Sequence, residues 1–73
     1  MESVRLDVWL WAARFYKTRS QAKQACDASQ VRANDEVAKP SRAVRVGDTI
    51  TAKIGDTRRI GKVLILSEVR GPA

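Results

Sequence analysis

The chain has 73 residues, a formal net charge of +6 and a sequence pI of about 10.3. This length predicts one domain, 1–73, whose small core leaves little room for a buried catalytic pocket. The sequence contains no histidine and a single cysteine, Cys26. An intrachain disulfide is therefore excluded, and we expect neither a zinc site nor another cofactor.

Positive charge is concentrated in the middle of the chain. The segment from Arg14 to Arg45 holds eight of the fourteen Lys and Arg residues and only three acids, namely Asp27, Asp35 and Glu36. A localised basic surface indicates an anionic partner, most often nucleic acid. A generic basic surface that aids solubility is the alternative interpretation.

Targeting and membrane signals are absent from the sequence pattern. No apolar run approaches the length of about 18 residues that a membrane-spanning helix needs, and no signal-peptide pattern opens the chain. We therefore expect a cytoplasmic protein. Cys26 falls on the apolar side of a predicted helix, which is typical of a small core residue.

The first predicted helix covers residues 5–16. Ser3 is its expected N-cap, and Asp7 lies in the first turns, where the helix dipole favours negative charge. The spacing i, i+3, i+4, i+7 predicts a core face made of Leu6, Trp9, Leu10 and Ala13. Trp11 lies off that face, where it either packs under a later segment or is exposed enough to stack on a base.

The second predicted helix runs from about Arg19 to Ala28. Thr18 and Gln21 have capping-box spacing, in which the Thr hydroxyl accepts a backbone N–H and the Gln side chain reaches back. Arg19 and Lys23 are four residues apart and share a stripe of the helix. An outward N-terminus with these cations suits a phosphate, although a short solvated helix would have the same pattern.

Short strands follow the helices. Residues 31–33 and 36–38 flank the turn dipeptide Asn34–Asp35, which predicts a hairpin. The segment 39–41 is expected to be a loop, because Pro40 has no N–H for a ladder. Alternation then predicts a further strand at 44–46.

The last part of the chain predicts a second hairpin. Residues 49–54 alternate cleanly between apolar and polar side chains. The apolar run 63–66 is interpreted as a buried strand, so we expect residues 49–54 to pair with the region 59–66. Residues 71–73 are expected to fray.

Taken in this order, the features resemble the S-four RNA-binding domain, also called the αL RNA-binding motif. The resemblance is carried by the stretches RLDVWLWAARFYKTRSQAKQA, VRAND, KPS and VGDTITAK. The opening stretch is most similar to a short ribosome-associated branch, which comprises a small heat-shock protein that binds the large ribosomal subunit and its relatives in ribosome quality control. A core motif at 5–53 and a hairpin extension at 49–69 are implied.

The resemblance implies an α+β fold in which two packed N-terminal helices lie on a small antiparallel sheet, with a C-terminal hairpin. It also implies RNA binding through the second helix's N-terminus and the adjacent strand–loop surface. Asp7 is implied as a positioning residue. The implied RNA contacts at motif positions, together with Arg14 and Lys17, which fit by position, are Arg5, Arg14, Lys17, Thr18, Arg19, Ser20, Lys23, Gln24, Arg32, Asn34, Lys39 and Ser41.

Two positions depart from the family pattern. The family usually has glycine where this chain has Ser29 and Asp35. Each of these residues must therefore take a backbone conformation that glycine adopts freely. Asp35 also places a negative charge near the surface that is expected to bind phosphate groups.

We expect a non-catalytic, monomeric protein that binds structured ribosomal RNA, on large subunits that hold stalled peptidyl-tRNA. The alternative is the RNA-substrate-binding domain of an RNA-modifying enzyme, of the pseudouridine synthase or methyltransferase type, or another module that binds tRNA or rRNA. DNA or a membrane surface would suit the same charge. The second helix, however, has few base-reading side chains and only Ala and Cys on its apolar face.

Overall fold

The computed structural model describes residues 3–66. Its elements are β1 (Val4–Arg5), α1 (Leu6–Ala12), α2 (Arg19–Asp27), β2 (Val31–Ala33), β3 (Glu36–Val37), β4 (Ala43–Val44), β5 (Thr49–Ile54) and β6 (Thr57–Lys62). The strands form an antiparallel pair, β1–β4, and an antiparallel sheet in the order β3-β2-β5-β6. The predicted α+β fold is confirmed. The expected fraying of 71–73 and the end of the extension, 67–69, lie outside the described residues.

The start of α1 differs from the prediction. Ser3 is not the N-cap, because Arg5 occupies that position and makes no side-chain cap bond. The first N–H groups of the helix donate instead to the loop before β4, from Leu6 to the Arg42 carbonyl (2.9 Å) and from Asp7 to the Pro40 carbonyl (3.2 Å). The pairing of β1 with β4, which the sequence did not predict, brings that loop to the helix end.

The end of α1 comes at Ala12, four residues before the predicted Tyr16. Arg14 adopts φ 65°, and two bonds close the helix, from Arg14 N–H to the Trp11 carbonyl (3.1 Å) and from Phe15 N–H to the Leu10 carbonyl (2.9 Å). This is a Schellman motif with arginine at the position that glycine usually holds. The motif turns Phe15 back into the core, whereas the sequence indicated only a linker there.

The bounds and caps of α2 agree with the prediction. Thr18 accepts the Gln21 N–H at 3.0 Å, and the Gln21 side chain accepts the Lys17 N–H at 3.2 Å. A second Schellman motif ends the helix around Ser29, which has φ 60°. Its bonds run from Ser29 N–H to the Cys26 carbonyl and from Gln30 N–H to the Ala25 carbonyl, both at 3.0 Å.

The hairpin β2–β3 is confirmed, with a turn at Asn34 and Asp35. Both residues have positive φ, 52° and 68°, and Ala33 pairs with Glu36. A two-residue loop of this kind is a type I′ turn, which is compatible with the right-handed twist of the flanking strands. Asp35 thus takes the conformation for which the family uses glycine. The strand β3 ends at Val37, and Ala38 is buried beyond it.

The second hairpin pairs β5 with β6 through a turn at Gly55 and Asp56. The predicted buried strand 63–66 is wrong, because β6 ends at Lys62 and Leu64 and Ile65 are 74% and 77% exposed. Only Val63 of that run is fully buried. Its N–H and carbonyl bond to Asp48 and Gly47, both at 2.8 Å, beyond the end of the β5–β6 ladder. The run of apolar residues in the sequence did not reveal that the chain leaves the β5–β6 ladder after Lys62.

The predicted strand 44–46 is shifted in the structure to Ala43–Val44.

The core lies between the helices and the inner face of the larger sheet. Its largest fully buried side chains are Leu6, Leu10, Val31, Val44, Ile50 and Val63. From α2 the core receives only small side chains, Ala22, Ala25 and Cys26, so the predicted core position of Cys26 is confirmed. None of the described helices is long and apolar enough to cross a membrane.

The linker between the helices docks on β6. Phe15 packs on Trp9 with ring centroids 5.2 Å apart, and the Arg59 guanidinium lies 4.5 Å from the Phe15 centroid. A Cβ at Gly61 would come within 2.9 Å of the Phe15 ring. The absence of a side chain at Gly61 therefore allows the helix pair and the C-terminal hairpin to approach this closely.

Candidate nucleic-acid interface

A groove of about 500 Å³ lies between α2, β3 and the loop before β4. It brings together four of the predicted RNA contacts, which are Arg5, Lys23, Lys39 and Ser41. Cys26, Asp27, Ser29 and the segment 37–40 complete the lining. Three cations from separate parts of the sequence thus meet at one concave surface, which is the arrangement that a phosphate backbone requires.

Arg5 is held in this groove by Asp7. The guanidinium Nε and Nη2 donate to the two carboxylate oxygens of Asp7, both at 3.2 Å. Asp7 is only 6% exposed, whereas the Arg5 side chain is 56% exposed. Asp7 also accepts the Val8 N–H at 2.8 Å. The pair uses two of the five N–H donors of Arg5, so the guanidinium is fixed in place with donors still to offer an anion.

The loop 39–41 is positioned by backbone bonds. Pro40 and Arg42 accept the first N–H groups of α1, and Arg42 N–H donates to the Lys39 carbonyl at 3.0 Å. Ala38 is buried and donates to the Val31 carbonyl at 3.1 Å. The loop therefore places Lys39 and Ser41 beside Arg5 through the same contacts that start α1.

The N-terminal half of α2 continues the groove. Arg19 lies one turn before Lys23 on the same stripe, and both are exposed. The Thr18 hydroxyl already accepts one backbone N–H, which leaves its own O–H to donate. Ser20 and Gln24 are exposed on the adjacent stripe. Arg14 and Lys17 flank the linker to α1, and the Arg14 carbonyl accepts from Arg59 at 3.3 Å.

Two predicted contacts lie away from the groove. Arg32 is on the outer side of β2, where it lines a second depression of about 340 Å³ and reaches the Asp35 carbonyl at 3.5 Å. The Asn34 amide donates to Asp48 (3.1 Å) and accepts the Thr49 N–H (3.0 Å). The Asn34 side chain thus ties two turns together, and an RNA contact there would compete with these bonds.

Cys26 and Asp48 are among the ionisable groups with perturbed pKa values. Burial, followed by the charges of Asp7 and Asp27, raises the pKa of Cys26 to about 12, so its thiol stays protonated at neutral pH. The backbone N–H of Arg45, 2.9 Å away, does most to lower the pKa of Asp48, with a smaller contribution from Asn34. Both groups therefore have structural roles at neutral pH.

Sequence reasoning missed three cations on the outer face of the C-terminal hairpin, Lys53, Arg58 and Lys62. The alternation of β5 already placed Lys53 on the polar face of that strand. The signal was incomplete because the register of β6 depends on the Gly55–Asp56 turn, and only the structure shows that Lys53 lies opposite Arg58.

The model of the S4 domain family matches residues 4–50. Heat shock protein 15 of Escherichia coli K12 is 44% identical over 70 residues, which cover 96% of this chain and 53% of that protein. The RQC P-site tRNA stabilizing factor of Streptococcus pneumoniae is 31% identical over 65 residues, covering 89% and 74%. The chain spans about half the length of the heat shock protein 15 relatives it matches.

A solved structure is also similar to this chain. It is the trimeric structure of Vibrio cholerae heat shock protein 15, with 44% identity, a TM-score of 0.91 and coverage of 97% of this chain and 72% of the other. The trimeric state of that relative gives no support to our expectation of a monomer. The matched family model, the helix pair on an antiparallel sheet and the basic groove agree: this chain belongs to the S4 domain family.

Proposed function

We propose that this chain is a non-catalytic RNA-binding domain that holds structured ribosomal RNA on large ribosomal subunits that still carry peptidyl-tRNA. The observation that carries the proposal is the convergence of Arg5, Lys23 and Lys39 on one groove along the C-terminal half of α2. The names of the relatives, heat shock protein 15 and RQC P-site tRNA stabilizing factor, support the ribosomal assignment. Such a role places the protein in the cytoplasm.

In this mechanism each element of the groove has a separate task. Arg19 and Lys23 contact phosphates along one stripe of α2, and the positive end of the helix dipole favours a further phosphate beside Thr18. Arg5, oriented by Asp7, contacts the backbone from the opposite wall of the groove. Phosphate contacts fix the position of the RNA, while shape and 2′-hydroxyl groups select folded RNA.

The remaining predicted contacts widen this footprint. Arg14 and Lys17 extend it beyond the start of α2, and Ser20, Gln24 and Ser41 supply neutral hydrogen-bonding groups. About five to seven phosphate contacts predict a log–log dependence of affinity on salt with a slope on the order of −4 to −6.

Sedimentation of purified large ribosomal subunits with the protein tests the proposal. We expect comigration at low salt that is lost as salt rises. We also expect Arg19→Ala and Lys23→Ala each to weaken binding by about 1–3 kcal/mol without unfolding the domain. Arg45→Ala is the matched control, because Arg45 is an exposed cation that lies neither on α2 nor in the groove lining. Unchanged affinity in the Arg19→Ala/Lys23→Ala double variant would refute this site.

A further inference from the structure

The outer face of the larger sheet carries a second group of cations. Alternation along β2, β5 and β6 turns these side chains away from the helices, because their neighbours Val31, Ala33, Ile50 and Ala52 are buried. We name this group the open-face patch, and it consists of Arg32, Lys53, Arg58 and Lys62. Three of its members, Arg32, Lys53 and Arg58, line the depression of about 340 Å³ together with Thr51.

The register of the hairpin places two of these cations directly against each other. Lys53 and Arg58 are cross-strand partners. Like charges directly opposite each other destabilise a sheet. The strands that carry the patch, β2, β5 and β6, contain no acidic residue, and the acid nearest along the hairpin, Asp56, is in the turn. Folding alone gives no reason for this arrangement, whereas an anion bound on the face would be stabilised by both charges.

The depression adjoins the groove. Ser29 lines both, at the C-terminal end of α2. Along β6, Arg58 and Lys62 are four residues apart, which corresponds to roughly 13 Å and is long enough for more than one phosphate. Ile60, which is 67% exposed, lies between them and offers an apolar contact for a ribose or base.

We propose that the open-face patch is a second RNA-backbone contact surface, which extends the path of the RNA from the groove past Ser29 onto the sheet. The proposal rests on the proposed function, since it concerns the same RNA ligand. RNA is favoured over a small anion because the cations are spread along strands rather than gathered around one point. The patch therefore adds phosphate contacts to those made by α2 and Arg5.

The first test measures the salt dependence of binding to purified large ribosomal subunits at constant magnesium. Lys53→Gln/Arg58→Gln is compared with Arg42→Gln/Arg45→Gln, which removes the same charge outside both surfaces. We expect the open-face variant to reduce the magnitude of the log–log slope by about 2, or about 1 for each lost contact, and the control pair to change it less. Equal slopes for the two variants would overturn the proposal, since only net charge would then matter.

Failure of this proposal is distinguishable from failure of the proposed function. The groove variant Arg19→Gln/Lys23→Gln is measured beside the other two. Loss of binding in the groove variant with no effect of Lys53→Gln/Arg58→Gln overturns the open-face contact alone. If the wild-type protein does not bind the subunits at all, both proposals are overturned.

A second variant separates a binding role from a structural one. Lys53→Glu places opposite charges on the β5–β6 pair, so we expect the Tm to rise while affinity for the subunits falls. If instead affinity is unchanged while the Tm rises, the patch does not contact RNA. Circular dichroism and thermal unfolding on the same samples confirm that each variant is folded.

Discussion

The groove and the open-face patch are both basic, but their cations are held in different ways. In the groove, Arg5 is fixed by two bonds to the buried Asp7, and the loop that carries Lys39 is bonded to the start of α1. On the open face, Lys53 and Arg58 are placed only by strand register and oppose each other. The groove cations are therefore held by hydrogen bonds around the start of α1, whereas the open-face cations are positioned only by the pairing of β5 with β6.

The difference has consequences for stability. A groove residue such as Asp7 takes part in folding and in the expected RNA contact at once, so changing it affects both. An open-face cation is proposed to contribute to binding without holding the structure, and its removal should relieve repulsion. Four changes test or sharpen this distinction.

The largest effect is expected for Asp7→Ala. The change removes the acceptor of the Val8 N–H and both bonds to Arg5, which should lower the free energy of unfolding by about 2–3 kcal/mol. Urea denaturation measures this loss. Arg58→Ala is the control from the open face and should stay within about 0.5 kcal/mol of the wild type. Equal losses in the two variants would contradict the difference between the surfaces.

Gly61→Ala tests how the open-face hairpin is attached to the helix pair. The new Cβ would meet the Phe15 ring, which is confined between Trp9 and Arg59. We expect a loss of about 1–2 kcal/mol in unfolding free energy from overpacking. Repeating the change with Phe15→Leu asks whether the clash is the cause, since a smaller partner should reduce the penalty of Gly61→Ala. A penalty independent of residue 15 would point to the backbone instead.

Asp48→Asn tests the hydrogen bonds that join the turn at Asn34 to the segment before β5. Hydrogen bonds hold the pKa of Asp48 below its ordinary value of 3.8 in the folded state. Its stabilising contribution is therefore present above that value and is lost as the pH falls through the folded-state pKa. We expect the variant to be less stable by about 1 kcal/mol at neutral pH, with the difference shrinking below pH 3.8. Thermal unfolding across this range, with Asp56→Asn as the control, measures it, and a constant difference would contradict the prediction.

The smallest effect is expected where the two depressions meet. Ser29→Gly puts the residue preferred for a left-handed helix end at φ 60°, which should raise the unfolding free energy by about 0.5–1 kcal/mol. Ala28→Gly is the matched control, because Ala28 has φ −86° and should be destabilised by a similar amount. Chemical denaturation of both variants compares the signs of the two changes in unfolding free energy. The same sign for both would show that left-handed strain is not the cause.

Local signals in the sequence predicted α2 well and α1 less well. The Thr18–Gln21 spacing predicted the start of α2, and this was confirmed because both cap bonds, from Gln21 N–H to Thr18 and from Lys17 N–H to Gln21, are local. The end of α1 was misplaced because Arg14 takes a left-handed conformation that its residue type does not indicate. The Val63–Leu66 run was misinterpreted because hydrophobicity alone does not show where a strand leaves its sheet.

For the candidate site, too, the sequence indicated individual residues but not how they are arranged in space. The resemblance indicated Arg5, Lys23 and Lys39 as separate positions, and their meeting in one groove depends on the β1–β4 pairing, which joins the two ends of a long stretch of chain. Arg32 was implied as a further RNA contact, and it lies on the outer face because its neighbours Val31 and Ala33 are buried.

By itself, the sequence determined the helix and turn signals and the concentration of positive charge, because these depend on residue type and spacing within a few positions, and its resemblance to a known family implied the fold class. The tertiary structure alone decided which cations share a surface. That choice depends on strand register and on contacts between residues far apart in the chain, such as Val4 with Val44 and Lys53 with Arg58. Burial of one apolar face of each strand limits which residues can pair, and the two-residue turn between β5 and β6 fixes the register of Lys53 and Arg58. No short stretch of sequence contains both of those constraints.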